Sequence, residues 1–76
     1  MTIHKGDFMM YKTLLFEQEG RIATLTLNRP NSMNAMDETM MEELANVLEG
    51  LKENKTIQVL IIKGEGRAFS AGGDIK

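Results

Sequence analysis

The chain has 76 residues, no cysteine and a net charge of −2, and it is 42% hydrophobic and 26% charged. This composition predicts one small globular domain or part of a larger one, with neither a disulfide nor a thiolate metal site. The near-balanced charge provides no basic field for nucleic acid, and the longest apolar run, at 59–62, is far below the roughly 20 residues that span a bilayer. We therefore expect no nucleic-acid or membrane partner. A cysteine-free chain also suits the reducing cytoplasm, which is the expected location.

Residues 1–10, MTIHKGDFMM, have no apolar core of the kind found in secretory signals, and they contain Asp7. We expect these ten residues to form a flexible leader before a domain at 11–76. His4, the only histidine, has no cysteine or paired carboxylate at a metal-binding spacing, so we expect no metal site.

Two stretches with alternating apolar side chains, at 11–17 and 21–28, predict a pair of β-strands. A short connection, Gln18-Glu19-Gly20, separates them, and Gly20 can supply the positive φ of a tight turn. The pair is therefore predicted to be a β-hairpin. Pro30 then breaks the second strand, because proline cannot donate to a sheet ladder.

Asp37 is a good N-cap for a helix that carries an apolar stripe, with Asn54 as its terminator. The stripe recurs at steps of three and four residues: Met36, Met40, Leu44, Val47, Leu48 and Leu51. Residues 57–63, IQVLIIK, are apolar on both faces, which is typical of a parallel strand buried between two layers. The predicted order is β-β-α-β, with a right-handed crossover and one sheet face left uncovered.

The segment GEGRAFSAGGDIK, at 64–76, follows directly after this buried strand. Ligands gather at the carboxyl ends of parallel strands, and small residues let a backbone approach them closely. The amides at 71–74 could stabilise an anion or a developing oxyanion, and Arg67 adds a cation that either contacts the ligand or pairs on the surface. The glycine spacing fits neither a P-loop nor a dinucleotide-binding loop. Ser70 is not preceded by glycine two residues earlier and has no histidine nearby, so we expect a structural hydroxyl.

Two stretches, IATLTLNRPNSMNAM at 22–36 and VLIIKGEGRAFSAGGDIK at 59–76, together with the helix after Asp37, resemble the enoyl-CoA hydratase/isomerase (crotonase) superfamily. The resemblance extends from about Leu14 to Lys76. It implies an α/β fold, in which β-β-α-β is the N-terminal portion of the ClpP/crotonase spiral. Residues 11–76 would then be the N-terminal part of a crotonase-like domain whose C-terminal remainder is absent.

The resemblance also implies the residues that contact the substrate. The backbone N–H of Ala71 is expected to be one arm of an oxyanion hole for a thioester carbonyl. Contacts to coenzyme A are expected from Met33, Ala35, Met36, Ala71, Gly72, Gly73, Asp74 and Ile75. Coenzyme A is part of the substrate, and no separate cofactor is expected. The catalytic carboxylates of the family lie downstream of this sequence, so the 76 residues alone are expected to be inactive.

The leading hypothesis is hydration of a trans-2-enoyl-CoA to a 3-hydroxyacyl-CoA, with isomerase, hydrolase, decarboxylase and lyase chemistry left open. The resemblance implies a homo-oligomer, a trimer or hexamer, as the full-length protein. A second hypothesis is a non-catalytic fragment that binds coenzyme A or a protein partner. A third is a small α/β interaction module unrelated to coenzyme A.

Overall fold

A computed structural model of the chain describes residues 8–73. These residues form one four-stranded sheet, in the order β1-β2-β3-β4, with an α-helix against one face. The elements are β1 (Phe8–Met10), β2 (Leu14–Glu19), β3 (Ile22–Leu27), a 3₁₀ helix (Pro30–Ser32), α1 (Glu38–Leu51) and β4 (Val59–Gly64). The predicted order β-β-α-β is confirmed, with one additional strand before it.

The additional strand, β1, corrects part of the predicted leader. It pairs antiparallel with β2, with Met9 opposite Phe16, so residues 8–10 belong to the sheet. Three residues with little alternation are too short a pattern to reveal a strand in the sequence, and only pairing with β2 defines it. Residues 1–7 lie outside the described residues.

The predicted hairpin is confirmed, with its turn shifted. β2 and β3 pair antiparallel from Leu14 opposite Leu27 to Glu19 opposite Ile22, and Gly20 turns the chain with φ +62°. β2 continues through Gln18 and Glu19, which were predicted as part of the turn. Gln18 is buried, and its side-chain amide donates to the Gly20 carbonyl at 3.0 Å, which stabilises the strand end.

The helix begins as predicted, at the N-cap Asp37, whose carboxylate accepts the Met40 N–H at 2.8 Å. Met40 and Val47 are fully buried, whereas Leu48 is 42% exposed because it lies one helical step beyond the face that contacts the sheet. The helix ends at Leu51, before Asn54, whose side-chain oxygen instead accepts the amides of Thr56 and Ile57 and shapes the entry into β4. Within residues 8–73, no helix has the length and apolar character that crossing a bilayer requires.

The third predicted strand, β4, runs parallel to β3, as the crossover requires, with Ile22 opposite Val59 and Leu27 opposite Gly64. The core lies between α1 and the sheet. It contains Leu14, Phe16, Ala23, Leu25, Leu27, Met40 and Val47. Contrary to the prediction of a strand buried on both faces, Val59, Ile61 and Ile62 are each about half exposed, because β4 is the edge strand of the described sheet and α1 covers one face.

Glu43 joins the helix to the start of β2. Its carboxylate accepts the Thr13 N–H at 2.8 Å, the Thr13 hydroxyl at 2.6 Å and the Lys12 N–H at 3.0 Å. Desolvation raises the pKa of the Glu43 carboxyl, but the hydrogen bonds from Thr13 and Lys12 together outweigh it and hold the pKa below its ordinary value. The ionised carboxylate is therefore the form that the fold stabilises.

We expect Glu43→Gln to lower the free energy of unfolding at neutral pH by about 1 kcal/mol, a modest value because the carboxylate is partly exposed. A depressed native pKa gives stability that is present above the ordinary carboxyl pKa and lost as the pH falls through the native one. The difference between wild type and variant should therefore shrink as the pH drops below about 4. Urea unfolding of the full-length protein across pH measures this, with the neighbouring, exposed Glu42→Gln as control. A difference that persists in acid would contradict the role of the charge.

Candidate functional site

Two loops meet beyond the carboxyl ends of the parallel strands β3 and β4. The first loop (residues 28–37) follows β3, and the second loop (residues 65–73) follows β4. The register pairs Leu27 with Gly64, so both loops leave the sheet at the same edge, and the Glu65 N–H extends the ladder to the Leu27 carbonyl at 2.8 Å. This is the edge where α/β sheets bind ligands.

The first loop is wound tightly around left-handed backbone. Pro30 opens the 3₁₀ helix, and then Met33 and Asn34 both have positive φ, 51° and 56°. Asparagine tolerates this conformation, but methionine seldom adopts it. The Met33 side chain is 56% exposed, so its conformation is set by the backbone bonds of the loop and not by core packing.

Arg29 fastens the first loop internally. Its guanidinium donates to the Ala35 carbonyl and, at 3.3 Å, to the Ser32 hydroxyl, and it lies 3.6 Å from the Asp37 carboxylate that caps α1. These contacts give Arg29 a structural role, that of holding the first loop.

Asn34 connects the two loops. It is fully buried, its side-chain oxygen accepts the Arg29 N–H, and its side-chain amide donates across to the carbonyls of Glu65 and Ala68. Sequence reasoning did not single it out. The available signal was an asparagine in a turn-rich loop, but its partners in the second loop are more than 30 residues away along the chain.

Backbone hydrogen bonds then join the loops as a short parallel bridge. The Ala71 N–H donates to the Met33 carbonyl at 2.9 Å, and the Met36 N–H donates to the Gly72 carbonyl at 2.8 Å. Ser70 stabilises the bridge from one side, because its hydroxyl donates to the Asn34 carbonyl and accepts the Gly72 N–H. The expected structural role of Ser70 agrees with these contacts.

The bridge bears directly on Ala71. Its N–H, predicted to face a thioester oxygen, is already bonded to the first loop, so the structure gives no support to that assignment. The Gly72 N–H is bound by Ser70, so the next amide without an acceptor among the described residues is that of Gly73. In a trans peptide the carbonyl of one residue and the N–H of the next point in opposite directions. Since the Gly72 carbonyl accepts from Met36, the Gly73 N–H points away from the first loop, and no acceptor for it lies among the described residues.

A groove lies between the tips of the two loops. Its volume is about 480 Å³, and it is lined by Pro30, Asn31, Met33, Gly66, Arg67 and Ala68. Gly66 is required here: its φ is +87°, and a Cβ would lie 3.0 Å from the Pro30 side chain. Arg67 is exposed, and its guanidinium makes no ion pair or hydrogen bond with another described residue. The groove therefore combines an apolar wall with one available cation.

The predicted contact residues separate into three groups. Met33 lines the groove, and Ala71, Gly72 and Gly73 lie in the bridge, all within the site. Met36 takes part in the bridge through its backbone N–H, but its side chain packs against the core. The Ala35 carbonyl is bound by Arg29 within the first loop. Asp74 and Ile75 lie outside the described residues. Within residues 8–73, no three side chains of the metal-binding types are arranged to hold an ion.

Comparison with known proteins identifies the family to which this chain belongs. Residues 17–76 match the family model described as enoyl-CoA hydratase/isomerase. A probable enoyl-CoA hydratase of Rhizobium meliloti is 40% identical over 68 residues, which are 90% of this chain and 26% of that protein. A trans-2-decenoyl-[acyl-carrier-protein] isomerase of Streptococcus mutans is 37% identical over 67 residues, 88% of this chain and 26% of its own length.

The fold gives the same result. The crystal structure of an enoyl-CoA hydratase/isomerase from Mycobacterium paratuberculosis superposes with a TM-score of 0.81 at 36% identity, over 84% of this chain and 25% of that one. The chain belongs to the enoyl-CoA hydratase/isomerase family, and its sheet and helix are the N-terminal portion of the crotonase fold. It spans about a quarter of the length of these relatives.

Proposed function

We propose that the protein carrying this chain acts on acyl-CoA thioesters, and that its reaction is the hydration of a trans-2-enoyl-CoA. In this reaction water adds across the double bond: the hydroxyl goes to C3, a proton goes to C2, and negative charge passes through the thioester oxygen. The family supports a CoA thioester as substrate. Hydration is the more specific part of the proposal, and isomerisation is its alternative because one relative is named as an isomerase.

The observation that carries the proposal is the orientation of the Gly73 peptide. Its N–H points away from the first loop at the carboxyl edge of two parallel strands and has no acceptor among residues 8–73, whereas the Ala71 N–H donates to the Met33 carbonyl of the first loop. We therefore assign the oxyanion contact of this loop to Gly73 and not to Ala71. A preorganised backbone donor aimed at a developing oxyanion is worth about 3 kcal/mol of transition-state stabilisation.

The groove supports the binding half of the proposal. Its volume falls within the range of small-molecule sites, about 300–1,000 Å³. Pro30 and Met33 offer apolar surface, and Arg67 offers a cation that suits a phosphate of coenzyme A. The remaining contacts expected from Gly72, Asp74 and Ile75, the oligomeric state and the cytoplasmic location stay predictions.

The test is turnover of crotonyl-CoA by the full-length protein, followed by mass spectrometry of the product. Hydration adds one molecule of water to the acyl group, isomerisation leaves the mass unchanged, and hydrolysis releases the free thiol of coenzyme A. We expect the hydrated product. Product of unchanged mass would replace hydration by isomerisation, and failure to bind or turn over any CoA thioester would overturn the proposal.

A further inference from the structure

We propose that Asn34 is the positioning residue of this site, which sets the spacing of the two loops and thereby aims the Gly73 amide. The inference rests on the proposed function, because it assigns to Asn34 the orientation of the group that contacts the thioester oxygen. It does not require Asn34 to touch the substrate.

The side chain of Asn34 is fully buried, and it both accepts and donates hydrogen bonds. Its oxygen accepts the Arg29 N–H at 2.7 Å within the first loop. Its nitrogen donates to the Glu65 carbonyl at 2.9 Å and the Ala68 carbonyl at 2.8 Å in the second loop. An amide nitrogen carries two hydrogens, so both are spent on the second loop.

The backbone of Asn34 is held as firmly. Its N–H donates to the Arg29 carbonyl at 2.8 Å, and its carbonyl accepts the Ser70 hydroxyl at 2.8 Å. These bonds keep the residue in its left-handed conformation, φ 56°. Asn34 is therefore the point at which the first loop is fixed both to itself and to its neighbour.

The connection to Gly73 runs through the residues on either side of Asn34. One residue earlier, the Met33 carbonyl accepts the Ala71 N–H, and two residues later the Met36 N–H donates to the Gly72 carbonyl. The second of these bonds fixes the plane of the peptide that carries the Gly73 N–H. A shift of Asn34 therefore moves both bonds that determine where this N–H points.

Asparagine is the side chain that this geometry requires. Aspartate has the same shape and can still accept from Arg29, but it turns an acceptor toward two carbonyls that need donors. An apolar side chain of similar size leaves both carbonyls buried without a partner, each at a desolvation cost. Serine is shorter and keeps a single hydroxyl, so it can donate to one carbonyl at most.

The experiment compares Asn34→Asp with Asn54→Asp in the full-length protein. Asn54 is the matched control because its side-chain oxygen likewise accepts backbone amides, two where Asn34 accepts one, and its nitrogen likewise donates, here to Gln18. It lies at the opposite edge of the sheet. We expect Asn34→Asp to lower kcat on crotonyl-CoA about 100-fold per folded molecule, as for a catalytic group displaced by roughly 1 Å. Its KM should rise as well, because the groove lies between the same loops. Asn54→Asp should change neither by more than about twofold.

A residue that only stabilised the fold would behave differently. Its variant would melt at a lower temperature but keep the kcat of wild type once the folded fraction is counted, and that result would overturn the proposal. If Asn34→Asp does not fold, Asn34→Ser replaces it, with an expected loss of kcat of about 10-fold, since roughly half of the cross-loop donation survives. Unchanged kcat and KM in the Asn34→Ser variant would overturn the proposal equally.

Hydrogen exchange separates this proposal from the proposed function. Asn34→Asp should accelerate exchange at the Ala71 and Met36 amides and leave the Leu25 amide in β3 protected. If wild type acts on no CoA thioester, the proposed function fails even where this exchange pattern is found. If wild type is active but exchange at Ala71 and Met36 is unchanged in Asn34→Asp, the positioning role fails and the proposed function stands.

Discussion

Replacement of the Gly73 peptide N–H by an ester oxygen should lower kcat on crotonyl-CoA by about 10²- to 10³-fold, the loss seen when one oxyanion donor is removed. Translational incorporation of glycolic acid at position 73 makes this change without adding a side chain. The bridge should survive, because the Gly73 N–H takes no part in it and the Gly72 carbonyl remains an acceptor, although a weaker one. Since the interaction forms in the transition state, kcat and kcat/KM should fall together.

The matched control is the same change at Ala71, made with lactic acid. It removes the N–H that donates to the Met33 carbonyl, so it should cost about 1 kcal/mol of loop stability. It should lower kcat less than the change at Gly73, because the Met36 N–H still holds the Gly72 carbonyl and the Gly73 donor itself remains. Steady-state kinetics and urea unfolding distinguish the two effects. If the ester at 71 abolishes turnover while the ester at 73 leaves it intact, the donor is Ala71, and the bridge must open when substrate binds.

Gly64→Ala should be the most destabilising small substitution at this edge of the sheet, by about 3 kcal/mol, at the upper end of the cost of overpacking. A Cβ at Gly64 would lie 2.5 Å from the Ala68 carbonyl oxygen and closer still to that of Phe69. Both obstacles are backbone atoms, so no side chain can rotate away, and the second loop must move. The Ala68 carbonyl is also a partner of Asn34, so we expect crotonyl-CoA turnover to be lost with the stability.

Two other glycines provide the controls for this prediction. A Cβ at Gly73 meets nothing within 4 Å, and the residue is not left-handed, so Gly73→Ala should change stability by less than about 0.5 kcal/mol. Gly20 has equal space but a φ of +62°, and Gly20→Ala should cost about 1 kcal/mol from conformation alone. Urea unfolding of the three variants ranks them. A Gly64→Ala protein as stable as Gly73→Ala would show that the second loop does not fold back over β4.

Local patterns predicted most of the fold because each element carries its own signal. The β-branched alternation of β3, the Asp37 cap and the stripe through Met40 and Val47 are properties of neighbouring residues, and each gave the right element. The predictions were wrong where pairing with another segment defines the element. β1 is a strand because it pairs with β2, and Glu19 belongs to β2 because it pairs with Ile22. The exposure of Leu48 depends on how α1 is rotated against the sheet.

The amino-acid sequence by itself determined the β-β-α-β order, through the periodicity of its apolar residues, and the family, through the resemblance of the stretches at 22–36 and 59–76. It also predicted a site after β4, where small residues lie close together in the chain. The tertiary structure alone decided which of the amides in the second loop has no acceptor among residues 8–73. Nothing in the sequence distinguishes the N–H of Ala71 from that of Gly73. They differ because the Met33 carbonyl accepts the Ala71 N–H, whereas the Met36 N–H binds the Gly72 carbonyl and so turns the Gly73 N–H away from the first loop. For the same reason the role of Asn34 is visible only in the folded loops. Its side-chain amide connects them because the fold brings the carbonyls of Glu65 and Ala68 within hydrogen-bonding distance.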